Sequence, residues 1–204
     1  ATLPASARTL GSLEFTACEL SQPGTGATVR AECASLDVPE DPTRPDGRKI
    51  SLKVALAASR AAEPAADPVV YFAGGPGQSA IELAGPMSRL FARLSNRRDI
   101  VLIDQRGTGR SAPLACDAVD PTRPLREMAD TGAMEARLLR CREALQKLPH
   151  GDLRQYTTTI AMADADAVRQ ALGAAQVNVI GGSYGTRAAL EYLRQFPGSV
   201  RRAV

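Results

Sequence analysis

Histidine is almost missing from these 204 residues: there is one, His150. Cysteine is nearly as scarce, at four, and none stands in a C-x-x-C pair. His150 lies nine residues from the nearest cysteine, so no metal-ligand spacing exists and no metal or other cofactor is expected. No apolar run approaches the roughly 18 residues of a membrane-spanning helix. Charge of one sign is not in excess either, with 25 Lys and Arg against 22 Asp and Glu. The basic residues are scattered rather than gathered in a stripe, which argues against nucleic acid as a partner. No internal repeat or low-complexity tract interrupts the chain, whose length suits a single domain with a real core. The first residues, Ala1-Thr2-Leu3-Pro4, include no initiator methionine, as expected of a processed or trimmed N-terminus.

What is present changes character along the chain. The first 60 residues read as antiparallel β-structure: Leu13 to Leu20, Thr28 to Val38, and a clear period-two run over Ile50 to Leu56. A Pro-Gly-Thr-Gly turn at 23–26 joins the first two, and the cluster Asp41 to Gly47 turns the chain into the third. After a Pro/Ala-rich connector over Ala61 to Pro68, short wholly apolar runs take over: Val69 to Phe72, Ile100 to Ile103 and Val177 to Ile180. Such runs are the mark of strands buried on both faces. Helical patterns over Ala80 to Leu94, Met134 to Leu148 and Thr159 to Leu172 lie between them. The alternation predicts an α/β fold, a mostly parallel doubly wound sheet with an antiparallel N-terminal opening.

The segment Gly181-Gly182-Ser183-Tyr184-Gly185 carries the chemistry. It follows an apolar strand and precedes a helical pattern through Thr186, Ala188, Ala189, Leu190, Tyr192 and Leu193. A G-x-S-x-G turn in that setting lifts a serine hydroxyl off the top of a sheet, with Gly181 and Gly185 needed where side chains would collide. The helix N-terminus favours negative charge developing beside Ser183. A plain glycine-rich turn around a surface serine is the alternative; the strand-before, helix-after context favours a nucleophile.

Two further loops follow apolar strands. Tyr71-Phe72-Ala73-Gly74-Gly75-Pro76-Gly77-Gln78-Ser79 lacks the Gly-Lys-Ser/Thr ending of a phosphate loop and the spacing of a dinucleotide fingerprint. Acyl transfer needs two backbone N–H groups aimed at an oxyanion; Tyr184 and Gly75 are the expected donors, with Gly74, Pro76 and Gly77 shaping the loop. Asp104-Gln105-Arg106-Gly107-Thr108-Gly109-Arg110-Ser111 precedes the serine, whereas a catalytic acid of this fold follows it. Asp104 and Arg106 are therefore expected to hold the loop beside the pocket.

These three motifs, in this order and at these separations, resemble the proline iminopeptidase and tripeptidyl aminopeptidase group of α/β-hydrolases, from about residue 28 onward. The resemblance implies a serine exopeptidase that releases residues from peptide N-termini, with a helical cap over the site. Ala73 departs from the pattern, standing where many of that group carry histidine before Gly-Gly. Paired cysteines near the N-terminus also resemble the exported members.

The four cysteines permit two bridges. Cys18 and Cys33 fall in neighbouring strands across a turn, while Cys116 and Cys141 flank a loop and the start of a helix. Each closed loop would contribute about 3 kcal/mol in the chain-entropy model. Two disulfides imply a periplasmic or secreted location; four buried thiols in a cytosolic enzyme are the alternative.

A serine nucleophile requires a base and an orienting acid. After Ser183 the chain holds Glu191 but no aspartate and no histidine, and His150 precedes the serine. Residues 1–204 thus read as the N-terminal part of one α/β-hydrolase domain, with Ser199 to Val204 beginning a further buried strand. Cap, acid and histidine are expected in a remainder carried as a separate chain. A carboxylester hydrolase on the same scaffold and a non-catalytic fragment are the competing readings.

Overall fold

The three apolar runs form the centre of one mixed eight-stranded sheet. The computed structural model describes residues 8–21, 28–116, 122, 124, 126 and 129–204. The opening Ala1 to Pro4 and the turn expected at 23–26 lie outside them. The strands are β1 (Arg8–Leu10), β2 (Leu13–Ser21), β3 (Thr28–Pro39), β4 (Lys49–Ala57), β5 (Val69–Phe72), β6 (Ile100–Ile103), β7 (Val177–Gly181) and β8 (Val200–Ala203). Their spatial order is β1-β2-β3-β4-β6-β5-β7-β8. Pairing is antiparallel from β1 through to β6 and parallel among β6, β5, β7 and β8.

Every residue of β5 and β6 is buried, which explains their unbroken apolarity. On one face, α3 (Thr158–Ala171) and α4 (Tyr184–Gln195) lay Met162, Ala165, Val168, Ala188, Ala189 and Tyr192 onto Phe15, Leu52, Val54, Phe72, Val101 and Val179. The other face is covered by residues 80–91, with Ala80 and Ala84 against Val69, Tyr71, Ile100 and Leu102. Each large apolar side chain taken from water here contributes roughly 1.5–3 kcal/mol. The core is therefore thickest under the parallel strands.

Three expectations need correction or completion. Instead of one helix from Ala80 to Leu94 there is a 3₁₀ turn at Ile81–Leu83, a short α1 (Ala84–Leu90) and another turn at Leu94–Asn96. Pro86 cannot donate its nitrogen and clashes with the turn before it, so a regular helix cannot run through from Ala80. β8 forms as expected but is not buried: Arg201, Arg202 and Ala203 are exposed, because β8 is an edge strand bonded to β7 alone. The N-terminal β1 escaped notice in the sequence, being three residues long. Arg8 holds it down, donating to Asp99 at 2.9 Å and Glu32 at 3.4 Å.

Both cysteine pairs are joined. Cys18 and Cys33 bridge β2 and β3 with Cα atoms 5.9 Å apart. Cys116 is bonded to Cys141 on α2 (Thr131–Leu145), a helix without buried residues whose Met134, Leu138 and Leu139 are exposed. Among the described residues no helix is long and apolar enough to cross a membrane.

Candidate active site

The chain from β5 to β6 runs over one face of the sheet, while α3 lies on the other and leads into β7 on the far side of β5. The strand order reverses at that point, which opens a crevice beyond the carboxyl ends of the strands. The loops after β5, β6 and β7 all end there.

Ser183 adopts φ 54° and ψ −121°. A non-glycine residue at positive φ is uncommon, and this conformation costs on the order of 1–3 kcal/mol unless its surroundings impose it. They do. Gly182 N–H donates to Phe72 O at 3.1 Å, and Gly185 N–H to Gly182 O at 2.8 Å. The Ser183 carbonyl accepts from Thr186 N at 3.0 Å and from Thr186 Oγ1 at 2.8 Å. Gly181, the last residue of β7, donates to Val204 O at 2.9 Å. A methyl group at Gly185 would overlap the Phe72 carbonyl, so the close approach of α4 to β5 requires glycine there.

Ser183 is the N-cap of α4, yet its side chain makes no capping bond. Serine at this position ordinarily spends its hydroxyl on the helix's first N–H groups. Here the residue is exposed and, among the described residues, Oγ has no hydrogen-bond partner. Its O–H can donate to an incoming proton acceptor and its lone pairs can attack an electrophilic carbon, and the N–H of Tyr184, the first of α4, lies alongside.

The loop after β5 comes up against this serine. A Cβ built on Gly74 would sit 3.1 Å from Ser183 Cβ and 3.5 Å from Oγ, so the bare backbone is what allows contact. Gly75 has φ 107°, its bond to Pro76 is cis, and Gly77 has φ 103°. Gln78 N–H closes the turn on Gly74 O at 3.3 Å. The loop after β5 and the first turn of α4 thus flank one hydroxyl.

Asp104 and Arg106 of the loop after β6 do not pair with each other. Asp104, 1% exposed, accepts from Ser79 Oγ at 2.6 Å, Ile81 N at 3.1 Å and Arg110 N at 3.1 Å, tying the β5 loop to the β6 loop. The guanidinium of Arg106, 4% exposed, turns away. It binds both carboxylate oxygens of Asp164 on α3, at 2.6 and 2.7 Å, and donates to the carbonyls of Pro39, Glu40 and Gln155. All five of its donors are used. Burial pushes the Asp164 carboxyl up, and the guanidinium opposes that rise. Asp164 was not singled out in the sequence; the available signal was a carboxylate on the otherwise apolar stripe Ala161, Ala165, Val168.

The remaining titratable candidates stand apart from the serine. His150 Nε2 lies 3.2 Å from Pro113 O, and its carbonyl accepts from Tyr156 Oη at 2.8 Å. Burial, together with the charge of Glu40, pushes that phenol up to about 12. Glu191 is clamped by Arg194 at 2.7 Å, which holds its carboxyl down to about 2. Neither residue shares a hydrogen bond or ion pair with Ser183. A cleft of about 760 Å³ opens on the far side of Ser79 and Asp104, over β2 and β3, but Ser183 does not line it.

Comparison with known proteins agrees with this geometry. The family model described as the alpha/beta hydrolase fold matches residues 67–204. The "Serine protease Hip1" of Mycobacterium tuberculosis is 31% identical over 202 residues, spanning 94% of this chain and 38% of that protein. The "Tripeptidyl aminopeptidase" of Streptomyces lividans is 30% identical over 188 residues, 85% of this chain and 34% of that one. The chain thus spans little more than a third of the length of these relatives. A "probable hydrolytic enzyme" of Pseudomonas aeruginosa shares the fold at a TM-score of 0.52 and 18% identity, over 84% of this chain and 39% of that one.

Proposed function

This chain belongs to the α/β-hydrolase family, and on that footing we propose that Ser183 is the nucleophile of a serine exopeptidase that releases residues from peptide N-termini. One observation carries the proposal: the Ser183 hydroxyl is exposed, uncommitted to capping, and held on a positive-φ turn at the carboxyl end of a buried strand. In the reaction Oγ attacks the scissile carbonyl carbon while its proton passes to a base. The resulting oxyanion accepts from the N–H groups of Tyr184 and Gly75. Collapse of the intermediate expels the peptide amine, which takes that proton, and leaves an acyl-enzyme that water hydrolyses. The base and its orienting acid come from polypeptide outside these 204 residues, in keeping with the 38% share of a relative that the chain spans. That remainder, as a separate chain, also pairs with the β8 edge, where Arg201, Arg202 and Ala203 are exposed. The names of the relatives and the motif order support peptides with a free N-terminus as substrates. The two disulfides support a periplasmic or secreted location.

The test uses the full-length natural protein. Peptides with free N-termini should lose their N-terminal residues, read by mass spectrometry, and N-acetylated copies of the same peptides should survive. Equal cleavage of both would remove the exopeptidase assignment, and turnover of aryl esters alone would favour a carboxylester hydrolase on the same serine.

A further inference from the structure

Ser183 is followed by Tyr184, the first residue of α4, whose backbone N–H is the oxyanion donor in the reading above. The Tyr184 side chain leaves the same Cα and reaches across to α3. Its Oη lies 2.5 Å from Oγ1 of Thr158, the first residue of that helix. Two helix N-termini are therefore pinned together by one hydroxyl–hydroxyl bond beside the candidate nucleophile. Both partners are half-buried, so the bond is partly sheltered from competing water.

The α3 end of this bond rests on a firm base. Thr157 caps the helix by accepting from Ile160 N at 3.3 Å. One turn further on, Asp164 is gripped by the buried Arg106. Asp166 then accepts from Tyr192 Oη at 2.9 Å, fastening α3 to the C-terminal half of α4. The positive-φ turn is held from the β5 side through Phe72 O and from within α4 through Thr186. Thr158 supplies the hold from the third side.

We propose that Thr158 is a positioning residue for the oxyanion donor: it fixes the Tyr184 side chain and, through it, the peptide N–H that follows Ser183. The proposal rests on the reading of Ser183 as nucleophile. Without the bond, Tyr184 can exchange rotamers and the peptide loses one of its constraints. Outright loss of an oxyanion donor lowers kcat by roughly 10²–10³-fold, so a displaced donor should cost about tenfold.

The full-length protein carrying Thr158→Val should show that drop in kcat with KM unchanged, since the lost interaction acts on the transition state. Thr158→Ser, which keeps the hydroxyl, should restore kcat. Tyr184→Phe should match Thr158→Val, and the double variant should be no slower than either single one. Wild-type kcat in Thr158→Val, failure of Thr158→Ser to rescue, or additive losses in the double variant would each overturn the role. Ser183→Ala run alongside separates the two readings. If Ser183→Ala is inactive while Thr158→Val is unimpaired, only the positioning role falls; if Ser183→Ala stays active, the nucleophile assignment itself fails.

Discussion

Two glycine-bearing turns stand at the carboxyl ends of parallel strands on either side of β5, and they treat their polar atoms in opposite ways. In the turn after β7, Ser183 is exposed and Oγ is left without a partner. In the turn after β6, Asp104 and Arg106 are almost fully buried, with three donors on the carboxylate and all five guanidinium protons engaged. A buried ion left short of partners is costly, so a residue with a scaffolding duty must be saturated. A residue meant to react must keep a lone pair free and accept the backbone cost of being displayed. Saturation marks the β6 turn and availability the β7 turn, in loops of similar composition.

The contrast can be broken most forcefully at Ser183. In the full-length protein, Ser183→Ala should reduce peptide turnover by at least about 10³-fold with an unchanged thermal midpoint, because members of a catalytic group act as a unit. More than a tenth of wild-type turnover would refute it. Arg106→Leu should do the reverse, leaving Asp164 charged and buried. A loss of about 3–5 kcal/mol in unfolding free energy is expected, read by urea denaturation. Asp104→Asn keeps the shape but replaces one acceptor oxygen with a donor that faces other donors. It should cost about 1–3 kcal/mol in the same assay and loosen the tie between the β5 and β6 loops.

The smallest effect concerns Tyr192→Phe, expected to cost about 1 kcal/mol at neutral pH. Burial acts to raise the Asp166 carboxyl, but hydrogen bonds from Arg169, Gln170 and Tyr192 outweigh it and hold the group below 3.8. A depressed carboxylate stabilises the fold above its unfolded value and loses that contribution as pH falls through the folded value. The Tyr192→Phe deficit should therefore narrow when stability is measured progressively below pH 3.8. A deficit that stays constant with pH would show that Tyr192 acts through packing alone.

The features most legible in the sequence were those fixed by burial on both faces. β5 and β6 run over the residues expected, and β7 extends one residue further, because an unbroken apolar run bounded by turn residues has few alternatives in a folded chain. The sharp turn at Ser183 was legible from its flanking glycines, where side chains would meet backbone. The Arg106–Asp164 pair spans 58 residues, and no local pattern records which carboxylate meets a given arginine. Thr158 and Tyr184, 26 residues apart, were hidden in the same way. The helix expected over Met134 to Leu148 forms as α2, displaced by three residues, while Pro86 overrode the helical period ahead of it.

The Cys18–Cys33 bond makes the β2–β3 hairpin a covalent ring, and Cys116–Cys141 closes a second one leading into α2. A protease that severs the chain anywhere between the members of either pair opens a ring without releasing a fragment. A nicked molecule therefore keeps its full mass until a reductant is added, and β2 remains tethered to the register in which it pairs with β3. In surroundings rich in proteases, these two segments can be cut and still remain part of the same molecule.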